Sequence, residues 1–78
     1  MGARVTFYTR PGCHLCDDAR AVVEAVCAET GETYEEVSIA GDPELEARFG
    51  NEIPVTFVDG RQHDFWRVSP DRLRRALG

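Results

Sequence analysis

The chain has 78 residues, a formal net charge of −5, 42% apolar residues and 29% charged ones. That length sets one domain with a thin core, because a chain of this size buries only about 60% of its unfolded surface. The acidic balance argues against nucleic acid or an anionic membrane as partner. The composition argues against disorder, and no run reaches the roughly 18 apolar residues of a membrane span.

The run Arg4 to Thr9 is rich in β-branched and aromatic residues and reads as a first strand. No apolar leader precedes it, so a cytoplasmic location is expected. Met1-Gly2 with Thr6 formally fits a myristoylation pattern, but the strand reading of Arg4 to Thr9 sets it aside. Arg10-Pro11-Gly12 breaks the strand. From Cys13 to about Thr30, Leu15, Ala19, Val22, Val23 and Val26 recur at helical spacing. Asp17 and Asp18 suit the early turns of that helix, and Gly31 is its expected C′ residue.

Thr33 to Ile39 reads as a second strand, with Thr33, Glu35, Val37 and Ile39 on one face. Its polar first half puts it near an edge. Asp42-Pro43 opens a short helix that Gly50 ends. Pro54 to Val58 is a third strand, with proline in the first position, where strands tolerate it. Asp59-Gly60 is a two-residue hairpin turn, from which Arg61 to Trp66 returns antiparallel. Ser69-Pro70 caps a last helix with Leu73, Ala76 and Leu77 on one face, and Val68 and Leu73 have the spacing of a hydrophobic staple. The order βαβ, α, ββα gives an α/β fold. A crossover makes the first two strands parallel, and the hairpin supplies the antiparallel half of a four-stranded mixed sheet.

All nine basic residues are arginine, and Arg67, Arg72, Arg74 and Arg75 gather in the last twelve positions. Cations there offset the dipole of a terminal helix.

Three cysteines exclude a fully paired disulfide framework. A bridge between Cys13 and Cys16 closes too small a loop to constrain the unfolded chain much, so the pair is better suited to chemistry than to stapling. It falls just after a strand, at the start of a helix. Unpaired N–H groups and the positive dipole end favour a thiolate there. Cys13 is the exposed nucleophile, and Cys16, one turn in, is the resolving thiol. Arg10 adds positive charge beside Cys13, whereas Asp17 and Asp18 oppose it. Cys27 lies about 16 Å along the helix from Cys16, too far for a disulfide, and reads as a buried inert thiol. His14 reads as a solvent-facing residue of the first turn and His63 as a strand residue. Tyr8 reads as strand packing, and Phe65 and Trp66 stand equally as core or as the wall of a groove.

The segment Phe7-Tyr8-Thr9-Arg10-Pro11-Gly12-Cys13-His14-Leu15-Cys16 resembles the active-site segment of glutaredoxin-like proteins. Ile53-Pro54-Val55-Thr56-Phe57-Val58-Asp59-Gly60 resembles their second signature. The resemblance implies a thioredoxin-like fold, a cis bond before Pro54, and thiol–disulfide exchange through Cys13 and Cys16. Arg10, Ile53 and Pro54 would then serve substrate binding, with the Ile53 backbone pairing to an extended segment.

The resemblance also has a departure. Glutathione-using glutaredoxins carry Gly-Gly and then an acidic residue where this chain has Asp64-Phe65-Trp66-Arg67-Val68-Ser69. Bulky Phe65 and Trp66 obstruct the close backbone approach that paired glycines permit. The expected partners are therefore a disulfide-containing protein or small thiol substrate, with a reductase or low-molecular-weight thiol as electron donor. A monomer without bound cofactor is expected. The rival readings are a zinc site, for which Cys27, His14 and His63 are the only other Cys or His ligands, and an iron–sulfur cluster held through Cys13 at a dimer interface. A partner-binding module that keeps the fold without turnover is a third.

Overall fold

The structure is a computed structural model that describes residues 3–78, so Met1 and Gly2 of the lipidation pattern lie outside it. Its elements are β1 (Val5–Thr9), α1 (His14–Thr30), β2 (Tyr34–Ser38), α2 (Pro43–Phe49), β3 (Val55–Val58), β4 (Arg61–Phe65) and α3 (Pro70–Leu77). The sheet order is β2-β1-β3-β4, with β2 parallel to β1 and the other pairs antiparallel. A mixed four-stranded sheet flanked by helices is the expected fold class. Among the described residues no helix is long and apolar enough to cross a membrane.

Strand alternation divides the core into two layers. On β1, Val5, Phe7 and Thr9 are buried, while Thr6 and Tyr8 are half-buried. Val5 and Phe7 belong to the main core with Val23 and Val26 of α1 and Leu73 and Leu77 of α3, and α1 packs on α3. Tyr8 stacks on Phe49 of α2 at 4.7 Å between centroids, with Phe57 edge-on to both rings. These offset and edge-to-face arrangements suit the ring quadrupoles.

The caps follow the sequence. Asp42 accepts from the amides of Glu44 and Leu45, Ser69 accepts from that of Arg72, and Gly31 closes α1 in the left-handed region at φ 75°. Val68 and Leu73 are both buried, as a staple requires. Asp59 and Gly60 both have positive φ, the combination of a type I′ turn, so the hairpin is as expected. Arg4 ties the ends together. Its guanidinium bridges Asp59 and Glu32 and donates to the carbonyls of Ala76 and Leu77 at the end of α3. Of the late arginines, Arg72 pairs with Asp64 and Arg74 with Glu29 and Asp71.

Three boundaries differ from the sequence reading. The second strand begins at Tyr34, leaving Thr33 outside it and exposed. Glu35 is exposed as well, and of the expected face only Ile39, just past the strand, is fully buried. An edge strand has one neighbour, so its polar side chains meet solvent. The third strand starts at Val55 rather than Pro54, which carries no N–H for the ladder. The fourth strand ends at Phe65, and Trp66 turns out of it. A β-bulge also interrupts the hairpin. Thr56 faces Asp64 but Phe57 faces Gln62, so His63 is the extra residue.

The core sets the stability of so small a chain. Leu73→Ala, at a fully buried position, is expected to lower the unfolding free energy by about 2–5 kcal/mol. Urea denaturation followed by circular dichroism reads it. Arg75→Ala, on the exposed side of the same helix, should leave the midpoint where it is.

Candidate active site

Register brings the candidate residues to one end of the sheet. Tyr8 on β1 faces Val55 on β3, which faces Phe65 on β4. One step beyond this row lie Thr9, which leads into the cysteine loop, then Pro54 and Trp66. Arg10 Nη2 lies 3.4 Å from the Gly50 carbonyl, joining the loop before Cys13 to the segment before Pro54. The Ile53–Pro54 bond is cis, as the resemblance implies.

Cys13 is the N-cap of α1 rather than its first residue. Its backbone is extended, and the Cys16 amide N–H donates to its sulfur at 3.1 Å. The sulfur therefore does the work usually done by an Asp or Ser oxygen, satisfying one of the orphan donors of the helix start. Cys13 is half-buried and Cys16 is 1% exposed. Gly12, at φ 74°, supplies the left-handed turn that brings the chain into this cap. Burial pushes the Cys16 thiol up to about 11; its hydrogen bond with Cys13 adds to this, and the Arg10 backbone opposes it. The expected exposed nucleophile is thus half-buried, its sulfur capping the helix through one N–H, and Cys16 sits in the core as a protonated thiol at neutral pH.

The charges nearby are partly tied up. Asp17 accepts from Arg20 at 2.8 Å, and Arg20 forms a two-point pair with Glu36 of β2 at 2.7 and 3.0 Å. The Arg20 guanidinium holds the Glu36 carboxyl below its ordinary range. Asp17 is thus tied to Arg20, while Asp18 has no ion-pair partner among the described residues. The Arg10 guanidinium is directed to the Gly50 carbonyl. His14 is exposed. Cys27 is buried, and desolvation raises its thiol above the ordinary value. Among the described residues no three His, Cys, Asp or Glu side chains are placed to hold a metal ion.

Between one face of α1 and the segment after β4 lies a groove of about 210 Å³ lined by Leu15, Asp18, Ala19, Val22, Trp66, Arg67 and Val68. Leu15, part of the apolar helical pattern, stays 39% exposed and forms one wall. Phe65 and Trp66, 48% and 51% exposed, form an edge-to-face pair at 5.1 Å. Of the two readings of these rings, the groove wall holds for Trp66. The part missed from sequence is the anchoring of that ring: the indole Nε1 donates to the Asn51 carbonyl at 2.9 Å. No residue pattern signals a bond to a main-chain oxygen fifteen positions away.

Fold and site together define a thioredoxin-fold domain with a dithiol at a helix N-terminus. The chain belongs to the family of the glutaredoxin-like domain (DUF836), whose pattern matches residues 4–78. It is 33% identical over 79 residues to an uncharacterized protein of Mycobacterium tuberculosis, covering 95% of this chain and 81% of that one. An X-ray structure of a protein from X. campestris matches with a TM-score of 0.79 at 34% identity, covering 94% of this chain and 93% of the other. The thioredoxin of Fasciola hepatica shares the fold, with a TM-score of 0.61 at 23% identity over 97% of this chain and 80% of its own.

The two thiols are expected to separate by reactivity. In the Cys13→Ser variant, iodoacetamide labelling of Cys16, mapped by mass, should climb with pH to a midpoint above that of an ordinary thiol, because burial, the largest cause of the rise, remains when Cys13 is gone. An ordinary thiol midpoint near about 8.5 would contradict the burial argument.

Proposed function

We propose that this chain is a thiol–disulfide oxidoreductase in which Cys13 attacks and Cys16 resolves. The observation that carries the reading is the N-cap geometry, in which the Cys16 N–H donates to the Cys13 sulfur while the Cys16 thiol is buried behind it. A helix N-terminus stabilises negative charge on the group that caps it, and the thiolate is the attacking species.

The reaction balances as two exchanges. The Cys13 thiolate attacks one sulfur of a substrate disulfide, forming a bond from Cys13 to that sulfur. The other substrate sulfur leaves as a thiolate and takes a proton. Cys16 then gives its proton to solvent and attacks the Cys13 sulfur, forming the Cys13–Cys16 disulfide and releasing the second substrate sulfur as a thiolate, which takes a proton from solvent. The substrate gains two electrons, and the dithiol loses them. Burial of Cys16 keeps it protonated until Cys13 carries the mixed disulfide, so the two steps occur in order.

Ile53 and Pro54, both buried, serve the substrate through the Ile53 main chain, and Arg10 secures the loop that carries Cys13. Substrates are disulfides of proteins or small thiols. An external reductase or low-molecular-weight thiol resets the dithiol, which suits a reducing compartment such as the cytoplasm. The bulk at Phe65 and Trp66 argues against glutathione as that thiol.

Two variants test the assignment. Cys16→Ser should accumulate a stable mixed disulfide at Cys13, seen as an added substrate mass. Cys13→Ser should lose reduction of a disulfide substrate altogether. Trapping at Cys16 or Cys27 in place of Cys13, or turnover surviving in Cys13→Ser, would sink the reading.

A further inference from the structure

Trp66 occupies a conformation that bulky side chains avoid. Its φ is 64°, and the Arg67 N–H returns to the Phe65 carbonyl at 2.8 Å, making a three-residue turn centred on the indole-bearing residue. A large residue in the left-handed region is strained, and such strain persists only where surrounding contacts impose it. Here they are three bonds to one short segment. The Trp66 amide donates to the carbonyls of Pro54 at 2.8 Å and Glu52 at 3.3 Å, and the indole N–H donates to that of Asn51 at 2.9 Å. Half of the residue's surface nevertheless stays exposed, so burial does not account for its being there.

What these bonds leave out is informative. Of the four residues from Asn51 to Pro54, three have their carbonyls taken by Trp66. Ile53 is the exception, and neither its N–H nor its carbonyl has a hydrogen-bond partner among the described residues. A donor and an acceptor on one residue, held between anchored neighbours, match the backbone of an extended polypeptide. The adjoining groove fits the same occupant. Its volume of about 210 Å³ is the size of one side chain, and its floor of Leu15, Ala19, Val22 and Val68 is apolar. On its rims Asp18 and Arg67 lack ion-pair partners among the described residues, so they complement the amide N–H and carbonyl groups of a passing chain.

We infer that Trp66 is a positioning and specificity-determining residue, which holds the Ile53 backbone ready to pair with an extended polypeptide substrate and walls the slot for one of its apolar side chains. This rests on the exchange chemistry proposed above and names its substrate class. Trp66 touches neither sulfur; it acts through Ile53 and through the groove.

The test compares two substrates in single-turnover reduction by the pre-reduced protein. One is an end-blocked peptide closed by a disulfide with leucine beside each half-cystine; the other is hydroxyethyl disulfide, which has no backbone to pair. Trp66→Phe keeps a ring and the main-chain amide but loses the indole N–H. It should lower the peptide-to-hydroxyethyl rate ratio about fivefold, the worth of one hydrogen bond, through a higher half-saturating peptide concentration at an undiminished limiting rate. Trp66→Gly, which also removes the wall and the strain, should lower the ratio further.

In variants whose circular dichroism matches that of wild type, an unchanged ratio overturns the inference while the exchange reading stands. Wild-type protein that prefers glutathione disulfide to the peptide also overturns it, by assigning the groove to a small zwitterion. Failure of wild-type protein to reduce any of the three disulfides would overturn both readings.

Discussion

The antiparallel row Tyr8–Val55–Phe65 is the constraint on which the candidate site depends. Each of these residues ends the antiparallel pairing at this side of the sheet, within two residues of a loop. The cysteine loop, the Ile53–Pro54 segment and the Trp66 turn therefore start side by side from one sheet end. A slip of one residue in either pairing would turn every side chain of a strand to the opposite face. The aromatic cluster of Tyr8, Phe49 and Phe57 and the buried Val5, Phe7 and Val58 penalise that slip from both layers.

Onto this frame the helix start adds the chemistry. Cys13 caps α1 with sulfur, and Cys16 follows one turn later in the core, so one short segment holds an accessible sulfur and a desolvated thiol. The surrounding charges are arranged to leave that difference intact. Arg20 donates to both Asp17 and Glu36, and the arginine that precedes the cysteines is bonded to the Gly50 carbonyl. The bulge at His63 serves the far side of the site. It brings Asp64 to accept from the Ser69 amide and from Arg72, fixing the start of α3 and the 66–68 segment between them.

Most of the fold was legible because its signals are local. Asp42-Pro43 and Ser69-Pro70 carry their caps in adjacent residues, Asp59-Gly60 carries its own positive φ values, and the alternation on β1 states which face is buried. The C-x-x-C at a strand–helix junction was equally readable, down to which cysteine is the buried one. What could not be read depends on partners distant in sequence. Strand β2 is shorter and more exposed than its pattern because only β1 neighbours it. The bulge arises from fitting two strands to different neighbours. Trp66 was visible as a large residue where the resemblance to glutathione-using glutaredoxins implies glycine, yet its left-handed backbone is imposed by carbonyls at Asn51, Glu52 and Pro54.

A redox titration of the purified chain tests the central claim most directly. Free thiols would be alkylated and counted by mass across a series of dithiothreitol poises. The account predicts a two-electron transition confined to Cys13 and Cys16, between roughly −180 and −270 mV, with Cys27 reduced throughout. A pair that never bridges, or a bridge that persists below about −300 mV, would contradict it and make the two cysteines a binding or structural element.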